Sequence, residues 1–190
     1  RAYEAQLEAA NVELFSLDMR PGLPDPRAIA HLARIYRQFQ PDVVHAHMVH
    51  ANLLARVARL AGPLTCLVCT AHNINEGGAH LYLGYRMTAS LSEVTTNVSR
   101  SAVERHIELG VVRREKSAYI PNGINLRRFS RNLGDRERLR AELGAADSFV
   151  WLTVGRITEQ KDYPNLLAAL SSQDSSSLLW LVGDGELRQA

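Results

Sequence analysis

The feature that most restricts the fold of this chain is a regular alternation of strand-sized apolar runs with stretches whose apolar residues recur at helical spacing. Residues 12–17 and 42–47 are apolar runs of strand length. Between them Ile29, Leu32, Ile35, Tyr36 and Phe39 fall on one face of a helix, after a proline-rich loop (Pro21, Pro24, Pro26) and before the closing Pro41. Leu53, Leu54, Val57 and Leu60 mark a second helix that ends near Gly62. The pattern continues with a strand over residues 64–70, a turn-rich loop over 72–78, a helix over about 82–91 and a strand over 94–98. Ser99 then caps a helix through Leu109, with Gly110 as its stop. Such alternation predicts an α/β protein: a parallel sheet with helices covering both faces.

Between residues 117 and 125 lies a strand ending in Ile120-Pro-Asn-Gly, and the charged stretch 127–140 carries no strand signal. A domain boundary is expected there, dividing the chain into residues 1–130 and 131–190. From Phe149 the pattern restarts: strand 149–154, a loop, a helix over 162–170, a loop with Ser171, Ser172, Ser175, Ser176 and Ser177, and a strand over 178–182. That is the opening βαβ unit of a second domain. The chain starts at Arg1 and closes on Glu186-Leu-Arg-Gln-Ala, which reads as a helix beginning, so both ends read as cut.

At 190 residues with 46% hydrophobic side chains, the length suits one full domain and part of another. The net charge of +2 comes from 22 basic and 20 acidic residues spread along the chain, without the basic stripe that nucleic-acid binding needs. No run approaches the roughly 20 apolar residues of a membrane span. Cys66 and Cys69 stand three apart on a strand and therefore point to opposite faces. They read as buried thiols of a reducing, cytoplasmic compartment rather than a disulfide, redox or metal pair. Asn97-Val98-Ser99 matches a glycosylation sequon with nothing else to suggest secretion, and is read as chance.

Ligands of open α/β sheets bind beyond the carboxyl ends of the strands, and four loops there carry chemistry. In Val154-Gly-Arg-Ile-Thr-Glu-Gln-Lys-Asp-Tyr-Pro164, Gly155 is expected to turn the backbone, Asp162 to cap the next helix and Pro164 to sit in its first turn. Arg156 and Lys161 then stand between a strand end and a helix start, where a phosphate would meet them and free backbone N–H groups. His72, beside Asn73, reads either as a base or hydrogen-bonding group, or as a histidine satisfied by backbone. His45-Ala-His47, with His50 nearby, puts two rings on one strand face, which suits a metal-dependent hydrolase but lacks a third ligand. Val182-Gly-Asp-Gly185 begins like a dinucleotide fingerprint, yet the third glycine position is Arg188.

Pro41-Asp-Val-Val-His-Ala-His, Thr70-Ala-His-Asn73, Ile120-Pro-Asn-Gly-Ile-Asn125 with Phe129, Val154-Gly-Arg with Lys161-Asp162, and Val182-Gly-Asp-Gly185, in this order, resemble the family 4 retaining glycosyltransferases. The resemblance covers the chain from about residue 12 to its end. It implies the GT-B fold, two Rossmann-like domains with parallel sheets, the first on the acceptor side and the second binding a nucleotide sugar. It implies transfer of a hexosyl group, with retention, from a UDP- or GDP-type sugar to a polysaccharide or lipid-linked acceptor, without a bound metal or other cofactor.

By the same resemblance, Arg156 and Lys161 bind the donor diphosphate together with Gly155, and His72 faces the transferred sugar with Asn73 beside it. Asn122 and Gly123 belong to the interdomain crossover, where a glycine at positive φ would suit a hinge. The family's glycine-rich loop would precede Arg1 and its paired glutamates would follow Ala190, so this chain alone is expected to lack donor turnover. Residues 100–109 with Arg113, Arg114 and Lys116 offer a modest basic surface for peripheral contact with the inner membrane. A nucleotide-sugar epimerase of the same fold, and a binding module without chemistry, are the other readings.

Overall fold

The computed structural model describes residues 3–19, 25–62, 66–75, 77–173 and 177–188. Its contacts divide the chain into two compact units, Arg1–Gly123 and Ile124–Ala190. Pro21, Pro24, residues 64 and 65 of the expected strand, Glu76 of the turn-rich loop, Ser175, Ser176 and the helix start at 189–190 lie outside the described residues.

The first unit runs α1 (Glu4–Ala9), α2 (Pro26–Phe39), β1 (Val43–His47), α3 (Val49–Ala58), β2 (Cys66–Ala71), α4 (Ala79–Thr88) with a 3₁₀ turn at Ala89–Leu91, β3 (Val94–Asn97), α5 (Arg100–Glu108), a 3₁₀ turn at Arg114–Lys116 and β4 (Ser117–Tyr119). The four strands form one parallel sheet in the order β1-β2-β3-β4. Local chemistry sets the helix ends. The Asp25 carboxylate accepts from the Arg27 N–H with Pro26 in the first turn, and the Ser99 hydroxyl accepts from the Ala102 N–H to open α5. Gly110, at φ +65, closes α5 in the left-handed conformation that favours glycine.

Two expectations fail here. Residues 12–17 form no strand, and Val12, Leu14 and Phe15 stay exposed. A strand exists through its ladder, and among the described residues nothing pairs with this segment, so apolar content alone does not make it one. Nor, among the described residues, do the crossover helices of this sheet lie on both faces. Its strand order runs one way, so right-handed crossovers put α3, α4 and α5 on the same side. Their contacts agree: the Arg56 guanidinium lies 4.8 Å over the Tyr85 ring, and that ring is 6.4 Å from the ring of His106. On that side Ala46, Ala55, Leu67 and Cys69 form one core cluster and Val49, Tyr85 and Val111 another. On the opposite side of β1, Val43, His45 and His47 are exposed.

The helical side also buries polar groups. Asn52 donates to the Thr70 carbonyl at 3.0 Å and to the Tyr85 hydroxyl at 2.9 Å. Arg56, fully buried, donates to the Thr95 hydroxyl at 2.7 Å and to the Tyr85 carbonyl at 3.4 Å. These bonds satisfy groups that would otherwise cost on the order of 1–3 kcal/mol each to bury, and they fix α3 against the carboxyl end of β2. Cys66 and Cys69 are free thiols, Cys69 buried among the core side chains and its pKa raised by that burial. The sequon is structural: Asn97 is 2% exposed, its amide donating to the Asn73 carbonyl, while Ser99 caps α5.

In the second unit α6 (Leu133–Glu142) occupies most of the charged stretch, capped by Asn132, and is followed by β5 (Phe149–Val154), a 3₁₀ turn (Glu159–Lys161), α7 (Tyr163–Ser171) and β6 (Ser177–Val182). β5 and β6 pair in parallel, residue 149 opposite 177 through 154 opposite 182.

Candidate functional site

The carboxyl ends of β1 and β2 bring three imidazoles together. His45 and His47 share one face of β1, as their spacing predicts, with ring centroids 4.1 Å apart. In the parallel register His47 stands opposite Thr70, and His72 lies two residues further on the same face. His47 Nδ1 comes 3.0 Å from His72 Nε2, and His45 Nε2 comes 2.7 Å from Thr70 Oγ1. Thr70 Oγ1 is in turn 2.7 Å from Thr96 Oγ1 on β3. Hydrogen bonds from the buried threonines to His45, the ring contact between His45 and His47, and the His47–His72 bond thus connect the sheet to the half-buried His72 at the strand end. The His47 pKa is held below the usual histidine value by desolvation, then by the charges His45 and His72 would carry. Asn73 follows on the loop, its carbonyl held by Asn97.

His45 is engaged by Thr70 and His47 by His72, and among the described residues no group of three histidine, cysteine or carboxylate side chains is placed to hold a metal ion. His50 sits exposed in the first turn of α3.

In the second unit, Arg156 and Lys161 occupy the loop between β5 and α7, both exposed and neither in an ion pair among the described residues. The loop is built otherwise than its sequence suggests. Gly155 is not in the left-handed region, and a Cβ there would meet only ordinary contacts with Lys161 and Tyr163. Asp162 stands at the N-cap of α7 but at φ 48, ψ 51, and its carboxylate makes no cap bond because the preceding 3₁₀ turn delivers the backbone in a left-handed residue. Several amides ahead of α7 are taken: Gly155 N–H by Val182, Ile157 by Asp184, Thr158 by Arg156, Lys161 by Thr158 and Asp162 by Glu159, all through carbonyls. Pro164 has none to give.

Those bonds explain Gly183 and Gly185. Gly183 has φ +157, and a Cβ on it would overlap the Gly155 carbonyl; one on Gly185 would overlap the Ile157 backbone. The Gly-x-Gly lets the segment after β6 press against the Arg156 loop rather than opening a dinucleotide site. Gly123, expected at positive φ, is not in the left-handed region, and a Cβ on it would have nothing within 4 Å, so its extended segment needs no glycine. Asn122 lies beside it in the same extended, exposed stretch.

The basic surface at α5 is largely used internally. Arg114 pairs with Glu104 at 2.7 Å, Arg105 with Glu108 at 3.4 Å, Lys116 donates to the Ser92 carbonyl, and Arg100 lies over Tyr119. No helix among the described residues is long and apolar enough to cross a membrane. A surface hollow of about 520 Å³ lies away from the imidazoles, along α2, lined by Asp25, Arg27, His31, Arg34 and Arg37 among others.

Sequence reasoning missed Thr70 and Thr96, which looked like ordinary strand residues. The available signal was polarity at the strand end in phase with His72, period two on one face.

The model of Glycosyltransferase Family 4 matches residues 3–128. The chain belongs to that family. Among curated proteins, this Family 4 chain is 27% identical over 179 residues to the UDP-Gal:alpha-D-GlcNAc-diphosphoundecaprenol alpha-1,3-galactosyltransferase of Escherichia coli, covering 87% of itself and 46% of that protein. Among solved structures, it matches Anabaena HepE in complex with UDP at a TM-score of 0.78 and 23% identity, covering 98% of itself and 51% of HepE. HepE in complex with UDP-glucose gives a TM-score of 0.75, again at 23% identity, over 97% of this chain and 50% of that one. The Family 4 chain therefore has the α/β architecture of a GT-B glycosyltransferase over the part it spans, about half the length of the relatives it matches.

Proposed function

We propose that this chain is the acceptor-side domain and the start of the donor-side domain of a retaining hexosyltransferase that uses a UDP-sugar. The observation that carries the reading is the Family 4 match over residues 3–128, with His72 placed at the carboxyl end of β2. The UDP complexes of HepE and the UDP-galactose donor in the name of the Escherichia coli relative favour UDP over GDP. That relative's lipid diphosphate acceptor favours a lipid-linked or polysaccharide acceptor, handled on the cytoplasmic side, where nucleotide sugars are made.

In the transfer, the bond between the anomeric carbon and the β-phosphate oxygen breaks. A bond to an acceptor hydroxyl oxygen forms on the same face, and the hydroxyl proton passes to the departing diphosphate. Arg156 and Lys161 are assigned to the negative charge that grows on the departing diphosphate, which is electrostatic stabilisation by unpaired cations. His72 hydrogen-bonds the transferred sugar and Asn73 lies beside it. Gly155 adjoins Arg156 at the donor diphosphate, and residues 122 and 123 serve as the connection between the domains.

The test follows nucleotide release by the transferase from UDP-, GDP- and ADP-sugars with EDTA present, comparing wild type with Arg156→Ala and Lys161→Ala. Release from UDP-sugars that survives EDTA and falls at least tenfold in each variant is the expected result. Activity indifferent to both substitutions would remove the diphosphate assignment, and loss to EDTA would remove the metal-free mechanism.

A further inference from the structure

His72 is presented by a loop residue just past the end of β2, and a solvated imidazole there would rotate and exchange its proton between Nδ1 and Nε2. The structure supplies a partner. His47 Nδ1 lies 3.0 Å from His72 Nε2, so one of these nitrogens donates and the other accepts. His47 is itself held, its ring tilted by 38° against that of His45 with centroids 4.1 Å apart, and His45 Nε2 is tied to Thr70. Thr70 and Thr96 are 6% and 3% exposed, so the far end of these contacts is anchored in the sheet. We propose that His47 is a positioning residue: it holds the His72 ring and decides which of its nitrogens carries the proton turned toward the sugar.

The inference rests on the sugar-facing assignment of His72 made above and adds a residue to it. Orientation of this kind matters because a hydrogen-bonding group helps transfer only when the correct donor or acceptor faces the substrate. His45 then has a supporting place, keeping His47 on the face of β1 from which it reaches His72. Both β1 imidazoles, which spacing alone suggested as metal ligands, find a use in this arrangement.

The experiment reads the imidazole nitrogens directly, through two-bond ¹H–¹⁵N spectra of the 190-residue chain in wild type, His47→Phe and His47→Asn. In wild type the two ring nitrogens of His72 are expected far apart in shift, one bearing the proton and one bare. In His47→Phe they should move toward the averaged positions of a freely exchanging ring. In His47→Asn, whose side-chain amide reaches about where Nδ1 stood, they should stay apart. Averaged His72 nitrogens in wild type would overturn the proposal, whether or not either variant folds, and so would unchanged nitrogens in His47→Phe.

Kinetics of the transferase give the second readout: about a tenfold loss of kcat in His47→Phe with donor KM within about twofold, and recovery of most of it in His47→Asn. A KM rise with kcat unchanged would mark His47 as a binding contact instead. His72→Ala distinguishes the two levels. Full activity in that variant would sink the sugar-facing role of His72, while the spectra would still report whether His47 holds its ring.

Discussion

Arg59 and Glu93 close on each other through two hydrogen bonds, Nη1 to Oε2 at 2.8 Å and Nη2 to Oε1 at 2.7 Å. The pair joins the end of α3 to the start of β3, and the same carboxylate accepts the Leu67 N–H at the start of β2. The Arg59 contacts, foremost, hold the Glu93 pKa below the usual carboxylate value. A carboxyl group whose folded pKa is depressed adds stability above its unfolded value, and loses it as pH falls through the folded one. Because both side chains are partly exposed, Glu93→Gln is expected to cost only about 1 kcal/mol at pH 7 and less at pH 3. Urea unfolding at the two pH values checks this; an equal cost at both would show that charge is not what Glu93 contributes.

His106 behaves in the opposite chemical sense but loses stability in the same direction. It is 1% exposed in α5, its Nε2 has no partner, and burial pushes its pKa below the usual histidine value. The unfolded chain therefore binds a proton that the folded one resists, and stability falls as pH drops below about 6.5, by at most about 1.4 kcal/mol per pH unit. His106→Phe should flatten the decline in the urea midpoint between pH 7 and pH 5. His47 contributes to the same window, so the slope should shrink rather than vanish.

Met48 sits at φ 74, ψ 155 in the turn from β1 to α3, a region that side chains avoid. Its N–H is held by the Thr70 carbonyl at 3.1 Å, so the backbone cannot relax. Half its surface is open, and little packing is at stake. Met48→Gly is expected to raise stability by about 1 kcal/mol, strain relief outweighing the greater freedom of glycine when unfolded. Thermal denaturation decides it, and a lower Tm would mean that the methionine packs more than its exposure suggests.

Glycines in similar-looking motifs should respond differently. Gly183→Ala and Gly185→Ala force a Cβ into the backbone of the Arg156 loop and should each destabilise the second unit by about 2 kcal/mol or more. Gly123→Ala meets nothing and should change stability by less than about 0.5 kcal/mol. Hydrogen exchange at Gly155 and Ile157, whose amides carry the bonds that would be pried apart, locates the damage.

Much of this architecture was readable from periodicity. The strands at residues 43–47, 66–71, 94–97, 149–154 and 177–182 and the helices capped by Asp25 and Ser99 follow from local pattern, because each is specified by residues within one or two turns of itself. Residues 12–17 show the limit: they carry a strand's composition, but a strand is completed by a neighbour, and among the described residues none pairs with them. The same limit hid the site's internal wiring. His45, His47 and His72 were each visible as candidates, yet nothing along the chain joins residue 47 to residue 72.

By itself the sequence determined the α/β class, the order of elements, the family and the identity of the candidate groups, since these depend on residue type and short-range spacing. Only the tertiary structure decided that the three crossover helices share one face, and that Gly155 and Ile157 in the Arg156 loop give their amides to the carbonyls of Val182 and Asp184. It also decided that His47 on β1 comes within hydrogen-bonding distance of His72. Those outcomes rest on strand register and crossover hand, which bring together residues 25 or more positions apart, and no local preference encodes that distance.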